Sequence, residues 1–328
     1  MNRLVGRALA PAAALAILLT GCASSAATPS ASTPAAQATV TVTDNKGTVT
    51  VKTPPTSVVA LDNRTFQTLA DWDIKPKAAA RSLMPSTNKY AKDESIIDIG
   101  THNEPKLELI TAAEPDLIIN GQRFAGKYDD IASRAPGAAQ ILLDPRDGEA
   151  FDSELKRQTT TLGTIFGKEA EATALNAKLD ASITAAKAAY DPSQKVIAVN
   201  SSGGKIGYIA PTVGRTLGPV FDILGLTHAL DVAGATNDHQ GDDISVETIA
   251  AANPDWILVM DRDAAVSADD PSYVPAAKVI QDSAALANVT AVTKGQVVYM
   301  PADTYTNEGI QTYTTFFEDL AAKFAAAK

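Results

Sequence analysis

The chain contains an internal repeat that restricts the folds open to it. Residues 108–119 read Glu-Leu-Ile-Thr-Ala-Ala-Glu-Pro-Asp-Leu-Ile-Ile, and residues 247–258 read Glu-Thr-Ile-Ala-Ala-Ala-Asn-Pro-Asp-Trp-Ile-Leu. Each copy has the pattern of a helix, a Pro-Asp turn and a buried strand. Because a repeated helix-turn-strand unit is one piece of a larger layer, the repeat predicts two similar α/β halves in one chain.

Strand and helix patterns alternate through both halves. In the first half, short β-branched segments alternate with helical stretches. The β-branched segments lie at 39–42, 49–52, 58–61, 117–120 and 141–143, and the helical stretches lie at 64–71 and 107–113. In the second half, apolar segments recur at 196–200, 220–224, 246–252, 256–260 and 297–300. This alternation predicts two Rossmann-like lobes with mostly parallel sheets.

The segment between the halves is helical in character. Residues 154–190 are rich in Ala, Leu, Lys and Glu, contain no proline and carry apolar residues at helical spacing. We predict an N-terminal lobe at 39–153, a long helical connector at 154–192, broken near Gly167, and a C-terminal lobe at 193–328. A stiff helical connector would limit hinge bending between the lobes.

The N-terminus has the three zones of a signal peptide. Arg3 and Arg7 precede an apolar run at 8–19, and small residues follow. The apolar run is too short to span a bilayer and remain there. We therefore predict that residues 1–21 are removed on export.

Cys22 is predicted to carry a lipid anchor such as palmitate. The sequence Leu19-Thr20-Gly21-Cys22 resembles the bacterial lipobox, and Cys22 has no second cysteine with which to form a disulfide. Residues 22–38 are almost entirely Ala, Ser, Thr and Pro, a composition typical of a flexible tether. We expect a globular module held at the cell membrane by its lipid and facing the outside, at the cell surface or in the periplasm.

The charge of the mature chain excludes one broad class of partner. Without Arg3 and Arg7 the chain has 26 basic and 38 acidic residues, a net charge of −12. Such an acidic surface disfavours nucleic acid and anionic lipid as general partners. A binding site rich in basic residues would therefore be confined to a small part of the surface. Separately, we expect the protein to work as a monomer.

Two arginines extend the repeat beyond its strands. Arg123 and Arg262 each lie seven residues after the matched aspartates Asp116 and Asp255. In open parallel sheets, the loops at the carboxyl ends of the strands form the ligand crevice. We therefore expect both arginines to point into the gap between the lobes.

The combined features resemble those of the solute-binding proteins of ABC importers that have a helical backbone, the class III periplasmic-binding-protein fold. Three stretches are similar to the ferric-siderophore binders, particularly the catecholate group of the enterobactin and petrobactin type. These are Gly-Arg-Thr-Leu-Gly at 214–218, Thr-Asn-Asp-His-Gln-Gly at 236–241 and Met-Asp-Arg-Asp at 260–263. The resemblance covers the whole mature module.

The resemblance implies three ligand-binding arginines, which fall here on Arg123, Arg215 and Arg262. A ferric tris-catecholate carries about three negative charges, and guanidinium groups keep their own charge while donating forked hydrogen bonds to oxygen. In this chain the first arginine stands one place later than is usual in the group, after Gly121 and Gln122.

The resemblance also implies direct iron ligands in a subset of the group, a histidine and a tyrosine. The histidine falls on His239, and the tyrosine on Tyr305, with Tyr313 as the alternative. Fe³⁺ is a hard ion that favours phenolate oxygen, and a neutral imidazole can fill a remaining position. The protein needs no cofactor of its own under this interpretation.

Glu108 and Glu247 occupy equivalent places in the two copies of the repeat. In related importers a surface glutamate from each lobe docks into arginine pockets of the permease, so the resemblance implies permease docking by this pair. A permease with two-fold symmetry would require matched contacts.

The sequence therefore predicts a lipoprotein that binds a ferric siderophore and delivers it to an ABC permease. An enzyme is disfavoured, because the G-x-S-x-G, H-E-x-x-H, C-x-x-C and P-loop motifs are missing from the sequence. A zinc or manganese binder is a weaker alternative, since the three histidines, His102, His228 and His239, are scattered. Cobalamin or haem binding on the same fold stays open.

Overall fold

The computed structural model describes residues 38–328. The predicted signal peptide, Cys22 and nearly all of the predicted tether lie outside the described residues. Within the described range, no helix is both long enough and apolar enough to cross a membrane.

The first half consists of a hairpin and a parallel sheet. The hairpin pairs β1 (Thr39–Asp44) with β2 (Gly47–Lys52) in antiparallel fashion. The sheet contains β3 (Val58–Ala60), β4 (Ala78–Ala79), β5 (Ile97–Asp98), β6 (Leu117–Asn120) and β7 (Ala139–Leu142), and its order is β5-β4-β3-β6-β7. Its helices are α1 (Phe66–Asp71), α2 (Glu108–Ala112) and α3 (Tyr128–Arg134). All four pairings in this sheet are parallel, which fits its apolar central strands.

Two helices connect the halves. They are α4 (Phe151–Phe166) and α5 (Glu169–Ala189), and between them Gly167 has the left-handed φ of 64°. Gly163 lies so close to the second helix that an added Cβ would stand 2.7 Å from the Cβ of Ala172. The connector is therefore a helical hairpin, and the break falls at the glycine where the sequence predicted it.

The second half has a mixed sheet. Its strands are β8 (Lys195–Ser202), β9 (Lys205–Ile209), β10 (Thr227–His228), β11 (Trp256–Asp261) and β12 (Val297–Tyr299), with the order β10-β8-β11-β12 and β9 antiparallel to β8. Its helices are α6 (Gly218–Leu224), α7 (Val246–Ala252), α8 (Arg262–Val266), α9 (Ala276–Asp282), α10 (Thr290–Thr293) and α11 (Ile310–Ala326). The apolar segments at 220–224 and 246–252 are thus helical, and the other three lie in strands.

The turns of the repeat explain its sequence. Glu114 and Asn253 both adopt a left-handed φ, 46° and 42°, and the proline that follows each prevents the helix from continuing. The next aspartate accepts a backbone hydrogen bond at 2.8 Å from the neighbouring strand region. Asp116 accepts it from Thr56, two residues before β3, and Asp255 accepts it from Lys195, the first residue of β8. The Pro-Asp pair therefore ends a helix and fixes the sheet beside it.

The predicted fold class, two α/β lobes with mostly parallel sheets, is confirmed. One hydrophobic cluster includes Val59, Ile118 and Ile165, and two more cover the faces of the second sheet around Trp256 and Ile257. The predicted lobe boundaries, 153/154 and 192/193, stay predictions.

Candidate functional site

The three predicted arginines meet at one tyrosine. Arg123 follows β6, Arg262 follows β11, and Arg215 lies in the loop between β9 and α6. Their guanidinium carbons lie 4.7, 4.9 and 4.9 Å from the centre of the Tyr305 ring, for Arg123, Arg215 and Arg262 respectively. At this distance each cation interacts with the aromatic face. The structure thus brings together four of the residues that the sequence identified.

Tyr305 lies in a buried position between the lobes. It sits in a 3₁₀ turn at Thr304–Thr306, between β12 and α11, and only 4% of its surface is exposed. Burial acts to raise the pKa of its phenol, but hydrogen bonding from Arg262 and the charges of Arg123 and Arg215 bring that pKa below its ordinary value. A phenol that loses its proton easily is a suitable oxygen donor for Fe³⁺.

Each arginine donates hydrogen bonds to protein acceptors from one side of its guanidinium group. Arg123 Nη2 donates to the carbonyl oxygen of Tyr305 at 3.1 Å, and Arg262 Nη1 donates to Asp263 Oδ1 at 3.1 Å. Arg215 donates from Nε and Nη2 to the two carboxylate oxygens of Glu308, at 3.3 and 3.1 Å. The buried Nε atoms of Arg123 and Arg262 have no protein partner. In addition, each of the three guanidinium groups has one Nη atom that donates to no protein acceptor in the described chain.

Glu308 is a site residue that the sequence reasoning missed. It is only 2% exposed, and its carboxylate accepts hydrogen bonds from Arg215, from Thr216 Oγ1 at 2.5 Å and from Gln122 Nε2 of the other lobe. Burial acts to raise its pKa, but Arg215, Arg64 and the hydrogen bonds lower that pKa overall. A glutamate in a loop is typically exposed to solvent, so no local pattern indicates that Glu308 is buried.

Two strained residues stand beside the arginines. Gln122, directly before Arg123, has a φ of 44°, and Thr216, directly after Arg215, has a φ of 67°. Non-glycine residues rarely adopt this conformation, and it persists where the surroundings enforce it. Both side chains donate to Glu308. The extra place before Arg123 is therefore occupied by a residue that links the two lobes.

A cavity of about 1080 Å³ adjoins the arginine cluster. Its walls include Arg64, Gln122 and Arg123 from the first lobe and Arg215 and Glu308 from the second. Tyr305 and Arg262 are not among the residues that line this cavity, whereas Arg123 and Arg215, which contact the Tyr305 ring, are. The volume is sufficient for a chelate of siderophore size.

His239 is placed differently from the arginines. Its side chain is 47% exposed, its Nδ1 lies 3.9 Å from Asp238 Oδ1, and its backbone carbonyl accepts from Asn200 Nδ2 at 3.0 Å. Across residues 38–328, no hydrogen bond or ion pair joins its ring to Tyr305 or to the three arginines. Its role as an iron ligand stays a prediction.

Tyr313, the alternative tyrosine, lines the cavity and is held by contacts of its own. The Tyr313 hydroxyl donates to the carbonyl oxygen of Thr216 at 2.9 Å, and its ring contacts Phe151 edge-on at 4.9 Å between centroids. Complete burial, followed by the charge of Glu308, raises the pKa of Tyr313 strongly. Tyr313 therefore stays protonated and supports the loop that carries Arg215.

His102 is a second residue that the sequence reasoning did not place in the cleft. It follows β5, and its buried Nδ1 has no protein partner. Burial lowers its pKa, and the charges of Arg123, Lys127 and Arg215 lower it further. A neutral imidazole thus lies within the field of arginines from both lobes.

The paired glutamates of the repeat are both on the surface. Glu108 lies in the first turn of α2, Glu247 lies in the first turn of α7, and both side chains are exposed. In the described part of the chain, no group of three or more His, Cys, Asp or Glu side chains could hold a metal ion unaided.

Comparison with known proteins adds sequence relatives and a structural neighbour. Residues 58–304 match the model of the periplasmic binding protein family. The petrobactin-binding protein YclQ of Bacillus subtilis is 26% identical over 283 residues, 84% of each chain. The ferric-anguibactin-binding protein FatB of Vibrio anguillarum is 26% identical over 292 residues, 86% of each chain. The structure of siderophore-binding protein BauB, bound to two acinetobactin molecules and ferric iron, superposes with a TM-score of 0.75 and 26% identity, over 88% of this chain and 99% of that one.

Proposed function

The chain belongs to the periplasmic binding protein family, and on that premise we propose that it binds a ferric siderophore of the catecholate type between its lobes. It then delivers this ligand unchanged to an ABC permease for iron uptake. The family consists of binding proteins, and the cleft residues described above suit recognition of an anion rather than catalysis.

The convergence of Arg123, Arg215 and Arg262 on one tyrosine is the observation that carries this proposal. Arginines from both lobes therefore stand together at one place, and their combined positive charge attracts an anionic ligand. Guanidinium groups donate forked hydrogen bonds to adjacent oxygens, which is the pattern that a metal-bound catecholate presents.

The relatives support the ligand class. YclQ and FatB are named for petrobactin and ferric anguibactin, and BauB was solved with a ferric siderophore complex. Each is only 26% identical to this chain, so these names support a ferric siderophore without identifying which one.

We further propose that Tyr305 ligates iron directly when a siderophore leaves coordination positions open. Its lowered pKa and its place among the arginines support this role. His239 is the proposed nitrogen ligand, and Asn237 of the same loop lines the cavity.

Two proposals concern the membrane. The lipobox-like sequence before Cys22 supports a lipid anchor, which would keep the binder within reach of its permease and raise the effective concentration there. The exposed and equivalent positions of Glu108 and Glu247 support their docking role. We propose that the anchored protein works as a monomer.

A fluorescence titration tests the proposed function. The purified protein, which contains Trp72 and Trp256, is titrated with ferric catecholates, the same catecholates without iron, cobalamin and haem. Quenching by a ferric catecholate at micromolar concentration, and not by its iron-free form, is the expected result. Failure of every ferric catecholate to bind would contradict the proposal. Tight binding of cobalamin or haem would identify that molecule as the ligand instead.

A further inference from the structure

Two of the three cleft arginines already have a carboxylate partner. Arg215 and Glu308 form an ion pair at 3.1 Å, and Arg262 and Asp263 form another at 3.1 Å. Arg123 instead contacts a neutral carbonyl oxygen. Three positive and two negative groups therefore give the cluster a net charge of about +1.

Glu308 is held firmly in this place. Its carboxylate is buried, and the hydrogen bonds from Thr216 and Gln122 fix it from both lobes. Because Arg215 approaches through Nε and Nη2, its remaining N–H groups point away from Glu308. The glutamate thus lowers the charge of the site without occupying all the donors of the arginine.

Asp263 is fixed in a similar way in the second lobe. Its side chain is 14% exposed, and Oδ2 accepts a short hydrogen bond from the backbone N–H of Gly203. The carboxylate is therefore anchored by the strand β8 and its turn.

The wall of the adjoining cavity does not carry a strong excess of positive charge. Arg64, on its wall, is 3.5 Å from Asp144, and Arg146 is paired with the buried Glu154 at 2.6 Å. The segment after Arg146 also contributes acidic side chains to the wall, namely Asp147 and Glu149 before α4 and Asp152 in its first turn. A ligand with several negative charges would meet carboxylates as well as guanidinium groups.

We propose that Glu308 and Asp263 set the charge of the chelate that the cleft accepts. Fe³⁺ held by three catecholates carries about three negative charges, and Fe³⁺ held by two carries about one. A cluster with about one net positive charge matches the second kind. The inference rests on the proposed function and narrows it to ferric chelates of low negative charge, such as a tetradentate bis-catecholate.

Replacement of each carboxylate by its amide tests this inference. Glu308→Gln and Asp263→Asn keep the size of the side chain and one acceptor oxygen, while each removes one negative charge. The probes are the ferric complexes of a synthetic tetradentate bis-catecholamide and a hexadentate tris-catecholamide. Their dissociation constants are measured by fluorescence quenching, for each variant and for the wild type.

The expected result is a change in preference. The wild type should bind the bis-catecholate complex more tightly, and each amide variant should shift the ratio of the two dissociation constants at least tenfold toward the tris-catecholate complex. Glu171→Gln, on the exposed surface of α5, makes the same change in net charge away from the cleft and should leave the ratio within twofold. Equal weakening of both complexes by Glu308→Gln and by Asp263→Asn would indicate a purely structural role and overturn the inference.

A second measurement needs no ligand. Removal of either carboxylate makes the surroundings of Tyr305 more positive, so ultraviolet titration should show its phenol losing a proton at a lower pH than in the wild type. A phenol that titrates unchanged in both variants contradicts control of the cleft charge by these residues. If the wild type binds neither complex, the proposed function is refuted. The phenol titration would still show whether the two carboxylates control the charge around Tyr305.

Discussion

The guanidinium of Arg262 lies over the ring of Tyr305, with its central carbon 4.9 Å from the ring centre. Arg262 belongs to the second copy of the internal repeat, and Tyr305 comes from the loop before the last helix. The same ring is also approached by Arg123 from the first lobe. This one tyrosine is therefore where residues from both halves of the chain meet, and the first two predictions concern it.

We expect Tyr305 to titrate at a lower pH than an ordinary tyrosine, because hydrogen bonding and positive charge from the arginines outweigh its burial. Ultraviolet difference absorbance over an alkaline pH series should show one early phenol in the wild type. Tyr305→Phe should remove that component, and Arg262→Ala should move it to higher pH. A wild type whose early component survives Tyr305→Phe would contradict this assignment.

Arg262→Ala should weaken binding of a ferric catecholate by more than tenfold, about 1.4 kcal/mol or more, because it removes a donor and a positive charge from the site. Arg262→Lys should recover only part of the loss, since an ammonium cannot reproduce the fork. Arg134→Ala, on the exposed end of α3, is the matched control. If Arg262→Ala leaves the affinity unchanged, Arg262 does not contact the ligand.

Asp62 should make the stability of the fold depend on pH. It is fully buried, and burial raises its pKa from 3.8 to about 6, with Asp144 adding to the rise and Arg64 opposing it. The folded chain therefore holds this proton more tightly than the unfolded chain. The stability that the proton provides is present below about pH 4 and is lost as the pH rises through about 6.

The Asp62→Asn variant tests this dependence, because the amide has no proton to lose. Urea unfolding followed by tryptophan fluorescence at several pH values should show a smaller fall in unfolding free energy between pH 4 and 7 than in the wild type. The difference should approach about 3 kcal/mol at most. Asp130→Asn, at an exposed site on α3, should keep the wild-type pH dependence. An identical pH dependence for wild type and Asp62→Asn would refute the prediction.

A double variant, Glu108→Arg with Glu247→Arg, should bind ligand normally and fail in uptake. Both glutamates are exposed, and reversed charge would repel arginine pockets on a permease. Iron uptake by cells that carry the variant, compared with ligand affinity of the purified protein, checks this. Normal uptake would rule out docking through this pair.

The sequence predicted those features that follow from local patterns. The repeat, with its Pro-Asp turns, predicted two α/β lobes. The prediction succeeded because the turn has the same structural role in both copies, in which Asp116 and Asp255 each hold a neighbouring strand. The matched spacing of Arg123 and Arg262 placed them at the carboxyl ends of equivalent strands, and Gly167 marked the break in the connector.

Residues whose roles depend on distant partners were not predictable in this way. Glu308 is 93 residues from Arg215 along the chain, and the hydrogen bond to it from Gln122 spans 186 residues. His102 looks like an isolated loop histidine until the fold places it near arginines of both lobes. The apolar segment at 220–224 suited a buried strand equally well, and packing of α6 against the second core determined the helix.

Iron anomalous scattering from a crystal of the complex would locate the bound metal relative to Tyr305 and the three arginines. The protein is crystallised with a ferric bis-catecholate, and an anomalous difference map is calculated from data collected at the iron absorption edge. We expect one strong peak between the lobes, adjacent to Tyr305 and bordered by Arg123, Arg215 and Arg262. A peak elsewhere on the protein, or an empty cleft at saturating ligand, would contradict it.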